Sequence, residues 1–227
     1  MKLYNIIWDF DGTILPSTPY DSEQELLRYK MKPSKESVSF FKRIMAKAVI
    51  YADMKEWLGA SFKKYYIWIL QRTRIEVLDR VAKNLVPRIS NADRKTFLKL
   101  KKDGHHMMII SCGTMDLIER TLRFAEIDGC FHSIYGNRLR CLNNCIAGMD
   151  LSFLNPKDKL KLVIDQGISP ELTVVVGDGY TDLPLLDWAK IPVVIDRTGK
   201  KRKKYLHMGY KFISSIPELI EIIGKLE

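Results

Sequence analysis

The stretch that decides the fold is Asn5-Ile6-Ile7-Trp8-Asp9-Phe10-Asp11-Gly12-Thr13-Ile14-Leu15. Ile6, Ile7 and Trp8 form an apolar run with no polar alternation, the pattern of a strand covered on both faces of a parallel sheet. Side chains alternate along a strand, so Asp9 and Asp11 point to one side and Phe10 to the other. Gly12 and Thr13 turn the chain, which leaves both carboxylates at the strand's carboxyl end, where open α/β sheets hold ligands. Two like charges at the end of a buried run call for a positive partner, and a metal ion is the obvious candidate.

Working outward, the rest of the chain alternates strand and helix with one long interruption. From Pro16 to about Arg88 no strand is evident. Helical patterns run through "DSEQELLRYKM", "SKESVSFFKRIMAKAV" and the single stretch "ASFKKYYIWILQRTRIEVLDRVAKNL". Asn91 reads as the start of a helix ending at Gly104, with His105 and His106 in a loop. "HMMIIS" is a buried strand, "TMDLIERTLRFAE" a helix, and residues 133–154 are irregular or hairpin-like. A helix after Pro156, the strand "LTVVVGD", a helix from Thr181, the strand "IPVVID" and a helix after Pro217 complete the pattern. The expectation is a Rossmann-like, doubly wound parallel sheet: an α/β core from residues 1–15 and 89–227, with a helical cap from 16–88.

The 227 residues suit a core domain with a smaller insert, and 46% hydrophobic content is ordinary for a globular chain. No apolar run reaches the roughly 20 residues of a membrane helix, and Asp9 and Asp11 spoil the amino terminus as a signal peptide. The reading is a cytoplasmic protein without a membrane partner. Cys112, Cys130, Cys141 and Cys145 are expected as thiols, since the Cys141–Cys145 spacing lacks the second half of a zinc site. The net charge is +10, much of it in Arg197–Lys204, "RTGKKRKK". With few aromatics nearby, that run reads as a solvated loop rather than a nucleic-acid surface. The sequence does not indicate an oligomeric state.

Several strand ends carry chemistry. Beyond Asp9 and Asp11 there are Ser111-Cys112-Gly113-Thr114, a lysine at a helix start in "NPKDKLK", and a second acidic turn, "GDGYTD" with Asp178 and Asp182. Acidic turns, a strand-end hydroxyl and a lysine outline a magnesium and phosphate site. Lys159 competes with Lys157 for the lysine role; position at the very start of the helix favours Lys157.

In order and kind these motifs, "DFDGTI", "IISCGT", "NPKDK" and "GDGYTD", resemble those of the haloacid dehalogenase-like phosphohydrolases, and the helical insert resembles the phosphoserine-phosphatase-like branch. The resemblance implies Asp9 as nucleophile and Asp11 as general acid and base. It implies Mg2+ held by Asp9, the Asp11 backbone carbonyl and Asp178, with Asp182 orienting that shell or binding through water. Ser111 and N–H groups near Gly12, Cys112 and Gly113 would hold the phosphoryl oxygens, and Lys157 would neutralise them. The implied function is hydrolysis of a small-molecule phosphate ester through an aspartyl phosphate. A phosphotransferase using the same intermediate, or a non-catalytic phosphate or nucleic-acid binder using residues 197–204, are the alternatives. Where phosphoserine phosphatases carry a Glu that reads the substrate's amino group, this chain has Thr18, and its next Glu is Glu23. Tyr20, Lys63, Tyr66, Arg72 and Arg74 are the cap positions expected near a substrate.

Overall fold

The computed structural model describes residues 2–31 and 40–225. The short central strand β1 (Asn5–Trp8) is followed by four helices, α1 (Ser22–Met31), α2 (Phe40–Met54), α3 (Ser61–Leu70) and α4 (Glu76–Leu85). Then come α5 (Asn91–Lys102), β2 (His106–Thr114), α6 (Met115–Phe124), β3 (Ser133–Leu142) and β4 (Cys145–Asp150). The chain continues through α7 (Pro156–Asp165), β5 (Thr173–Gly177), α8 (Leu183–Trp188) and β6 (Ile191–Ile195). It ends with α9 (Lys200–Tyr205), β7 (Lys211–Ile213) and α10 (Glu218–Gly224). The part of the second expected helical stretch before Phe40 falls largely outside the described residues.

The sheet has seven strands in the order β4-β3-β2-β1-β5-β6-β7, parallel except for the antiparallel β3–β4 hairpin. This is the doubly wound α/β fold expected. The alternation of β1 explains its two cores. Ile6 and Trp8 pack with Phe97, Leu117, Leu219 and the helices of the insert, while Ile7 packs with Val163, Leu185 and Tyr205 on the other face. The chain winds outward from β1 first through β2 and β3, then through β5 to β7. That reversal opens a crevice at the carboxyl end of β1.

Three sequence expectations change, and one open alternative is decided. The "ASFKK…AKNL" stretch is two helices, because residues 71–75 leave the helix to pair with the tip of the β3–β4 hairpin. Arg72 N–H donates to Ile146 O (2.8 Å), Ile146 N–H to Thr73 O (2.8 Å) and Ile75 N–H to Asn144 O (2.9 Å). Residues 133–150 take the hairpin alternative of the sequence reading, with one register shift between Arg140 and Cys141. β7 escapes a pattern reading, since three residues give no periodicity. His106 opens β2 rather than lying in a loop, while His105, in the connection before it, is buried and its Nδ1 accepts the Tyr4 N–H (3.2 Å).

Candidate active site

β1 delivers Asp9 to the crevice, where its N–H is held by Val176 O (3.0 Å). The carboxylate is 8% exposed, and Oδ1 accepts from Lys159 Nζ at 2.8 Å. Burial, then the neighbouring Asp182, raise its pKa well above the usual carboxylate value. Asp11 faces the insert instead. Its two oxygens accept the Ser22 N–H (2.8 Å) and the Ser22 hydroxyl (2.7 Å) at the start of α1. Burial lifts its pKa to about 6, against the lowering effect of the Ser22 bonds.

Gly12 is required by shape. Its φ is +81°, and a Cβ there would sit 2.2 Å from Asp178 Oδ2. Its N–H already donates to Leu15 O at 2.6 Å. The glycine allows the close approach of the two acidic turns.

Ser111, 2% exposed, ends the buried part of β2, and its Oγ accepts the Gly113 N–H at 3.0 Å. A Cβ on Gly113 would lie 3.2 Å from Asp11 Oδ2. Ser111, Cys112 and Gly113 thus share one wall with the two aspartates.

The lysine expectation is corrected. Lys157 is exposed, and Lys159 is fully buried, with Nζ 2.8 Å from Asp9 Oδ1 and 2.7 Å from Asp182 Oδ1. On α7 the inward stripe is Lys159 and Val163, four residues apart. Helical side chains tilt toward the helix's amino end, so a lysine in the second turn reaches back to the strand ends, while one in the first overshoots into solvent. Burial pulls the Lys159 pKa down, but Asp182 and Asp9 outweigh it and the group stays a cation.

Asp182, 1% exposed, accepts the Asp178 N–H (2.9 Å) and Gly179 N–H (3.3 Å) with its second oxygen, closing the loop after β5. Asp9, Asp178 and Asp182 each offer an oxygen within 4.8 Å of the others. Three hard carboxylate oxygens suit a divalent cation such as magnesium better than a thiophilic one. The Asp11 carboxylate stands apart from this trio, engaged with Ser22.

The basic run is more than a solvated loop. Arg197 donates to Gly12 O and Thr13 O, both at 2.6 Å, bracing the turn after Asp9. Lys201, on α9, pairs with Asp178. Pattern reading missed both because their significance lies in strand order, which brings β6 beside β5.

A cleft of about 470 Å³ runs from Asp9, Asp11 and Ser111 to Asp53, Gly59, Phe62 and Lys63 of the insert, with Leu154, Pro156 and Tyr180 on a third side. Lys63 alone of the five expected cap positions lines it. Its Nζ meets Glu23 Oε1 (2.7 Å) and Oε2 (2.5 Å), and Glu23 also accepts the Thr114 hydroxyl at 2.5 Å. Tyr66 lies behind, bonded to Thr114 Oγ1 (2.9 Å). Tyr20 stacks under Arg28, while Arg72 and Arg74 belong to the segment paired with the hairpin. Glu23 was visible as the next Glu after Thr18, but only α1's position shows that it reaches the cleft.

A family model described as haloacid dehalogenase-like hydrolase matches residues 6–187. A phosphoserine phosphatase of Wolinella succinogenes is 23% identical over 192 residues, 84% of this chain and 85% of the relative. A substrate-bound phosphoserine phosphatase structure superposes with a TM-score of 0.71 at 18% identity over 99% of each chain. A Bordetella pertussis Tohama I protein described as having unknown function gives 0.73 at 11% identity, over 94% of this chain and 99% of that one.

Proposed function

This chain belongs to the haloacid dehalogenase-like hydrolase family, and from that premise we propose that it is a magnesium-dependent phosphatase of a small organic phosphomonoester. The observation that carries the reading is the buried Asp9–Lys159–Asp182 chain behind the cleft, with Asp178 beside it. The similarity to phosphoserine phosphatases supports ester hydrolysis as the reaction class.

In this reading an Asp9 oxygen attacks phosphorus, the phosphorus–ester oxygen bond breaks, and Asp11 gives its proton to the departing alkoxide. Water then attacks the aspartyl phosphate, Asp11 takes a proton from it, and inorganic phosphate leaves with Asp9 restored. An Asp11 pKa of about 6 suits a group that must be acid in one step and base in the next. Lys159 opposes the rise that burial and Asp182 impose on Asp9, and orients it through Oδ1. Ser111 and the Gly113 turn, lining the cleft beside Asp9 and Asp11, would receive the phosphoryl oxygens, with the Gly113 N–H now bonded to Ser111 Oγ. Magnesium held by Asp9, the Asp11 backbone carbonyl and Asp178, with Asp182 positioning that loop, would offset the negative charge gathered on the phosphoryl group.

The test is a panel of phosphate esters assayed with magnesium and with chelator, using wild type and Asp9→Asn. The expected result is magnesium-dependent release of inorganic phosphate that disappears in Asp9→Asn at unchanged melting temperature. Turnover retained in that folded variant would refute the nucleophile assignment. Phosphate appearing on an added alcohol instead of in solution would identify a transferase using the same first half-reaction.

A further inference from the structure

Helix α2 is apolar on two faces. Ala46, Val49 and Ile50 are buried against the rest of the insert. At 100° per residue, Phe40, Ile44, Tyr51 and Met54 fall together on a second face, and each is more than half exposed. A solvated helix carries polar side chains there.

The surface continues beyond α2. Trp57, in the turn that follows, is 70% exposed and stands edge-on to Tyr51 with centroids 5.9 Å apart. Phe41 meets Trp68 of α3 in the same geometry at 6.1 Å. Apolar patches of this kind mark contact sites.

Cations outnumber acids among these rings. Lys55 lies over the Tyr51 ring (5.9 Å) and Lys42 over Trp68 (5.3 Å), while Lys47 and Lys64 are exposed. The acids of residues 40–72 are Asp53, which is bonded to Gln24 (2.7 Å), and Glu56.

We propose that this face of α2 and α3 docks on an anionic bilayer surface. Tyr and Trp favour the headgroup level, Phe, Ile and Met the acyl boundary, and lysines the lipid anions. Among the described residues no helix is long and apolar enough to cross a membrane, so the contact is peripheral. The sequence expectation of no membrane partner rested on spans, which surface docking does not need. A second copy fits poorly, since a two-fold contact sets Lys47 and Lys55 against a second cationic face. A nucleic acid would leave Ile44 and Met54 uncovered. The docking face adjoins the cleft: Asp53, Gly59, Phe62 and Lys63 of the same hairpin line it. The proposal stands independently of the catalytic reading.

The experiment is co-sedimentation of the full chain with vesicles of equimolar phosphatidylglycerol and phosphatidylcholine, against phosphatidylcholine alone. Binding is expected to the anionic vesicles and to weaken as salt rises. Lys47→Glu should weaken it about fivefold or more, at roughly 1 kcal/mol per surface lysine. Trp57→Ser should also weaken it, and both variants should keep wild-type melting temperature and wild-type hydrolysis of p-nitrophenyl phosphate. Failure of the folded wild type to bind anionic vesicles overturns the proposal. Equal binding by both variants does so too, as does a dimer that Trp57→Ser dissociates without any vesicle binding. Binding to an acidic polypeptide in preference to vesicles likewise replaces the bilayer with a protein partner.

Discussion

Asp11 spends its two carboxylate oxygens on one serine, and that bond links the acid's protonation to the position of α1. Its pKa rises from 3.8 to about 6, chiefly through burial. The sign follows: between these values the native chain holds a proton that the unfolded chain has lost, so Asp11 lowers stability as pH rises through that window. For catalysis, the proton is present below about pH 6 and absent above it. Formation of the aspartyl phosphate from an alkyl phosphate, whose leaving group needs protonation, should therefore slow above about pH 6 in single-turnover kinetics. With p-nitrophenyl phosphate, whose leaving group departs as an anion, that limb should be absent; the same limb for both esters would detach Asp11 from the proton transfer. Lys159 gives a second prediction. Lys159→Ala strands Asp9 and Asp182 in a dry site, at a cost of about 3 kcal/mol or more, read by chemical denaturation, together with loss of turnover. Lys157→Ala, at an exposed position, should stay within about 0.5 kcal/mol of wild type. The four motifs were legible in sequence because they are local, each a strand end and its turn. Which of two lysines faces inward is a question of helix phase, and Val163, the apolar partner four residues on, was the signal that answers it.

At the scale of elements, a buried amide sets one wall of the cleft. Asn137, fully buried in β3, donates from Nδ2 to Cys112 O (2.7 Å) and Phe153 O (3.0 Å), and accepts the Phe153 N–H at Oδ1 (2.9 Å). It thereby ties the end of β2 to the loop carrying Phe153, Leu154 and Pro156, all of which line the cleft. Asn137→Ala leaves three backbone groups unpaired in a dry place, which should cost about 1–3 kcal/mol in denaturant unfolding. Because that loop leads into α7 and Lys159, the variant should also raise KM; unchanged stability and kinetics would show that water replaces the amide. Nothing local in "YGNRL" advertises this role. β3 and β4 are hard to tell from an irregular segment in sequence because Gly136, Arg138 and Arg140 break the apolar alternation, yet they pair from Arg138–Asp150 to Leu142–Cys145 with one register shift after Arg140. The break in the long helical stretch at residues 71–75 has the same origin, since a partner strand far along the chain draws those residues out of the helix.

For the whole molecule, the question is how the insert and the sheet share one cleft. The two are joined on the far side by backbone bonds between residues 72–75 and the β3–β4 hairpin, and by Arg120 Nε to Asp79 Oδ1 at 2.9 Å. On the near side the junction is the buried Glu23–Lys63 pair, anchored to the core by Thr114. Each partner cancels the other's charge toward a substrate lying between Asp9 and Phe62. Removing one member leaves the other as an unpaired ion in the cleft, and a charge-assisted hydrogen bond of about 1.5–3 kcal/mol becomes available to a complementary ester. Lys63→Met should therefore raise kcat/KM for ammonium-bearing phosphate esters relative to carboxylate-bearing ones by about tenfold or more. Glu23→Gln should shift the ratio the opposite way, by freeing the Lys63 cation. Hydrolysis of p-nitrophenyl phosphate, which carries neither group, should change little in either variant, because neither residue touches the reacting atoms. Opposite shifts across a panel of charged esters would assign substrate selection to the insert; equal losses on every ester would make the pair a structural clasp between insert and core.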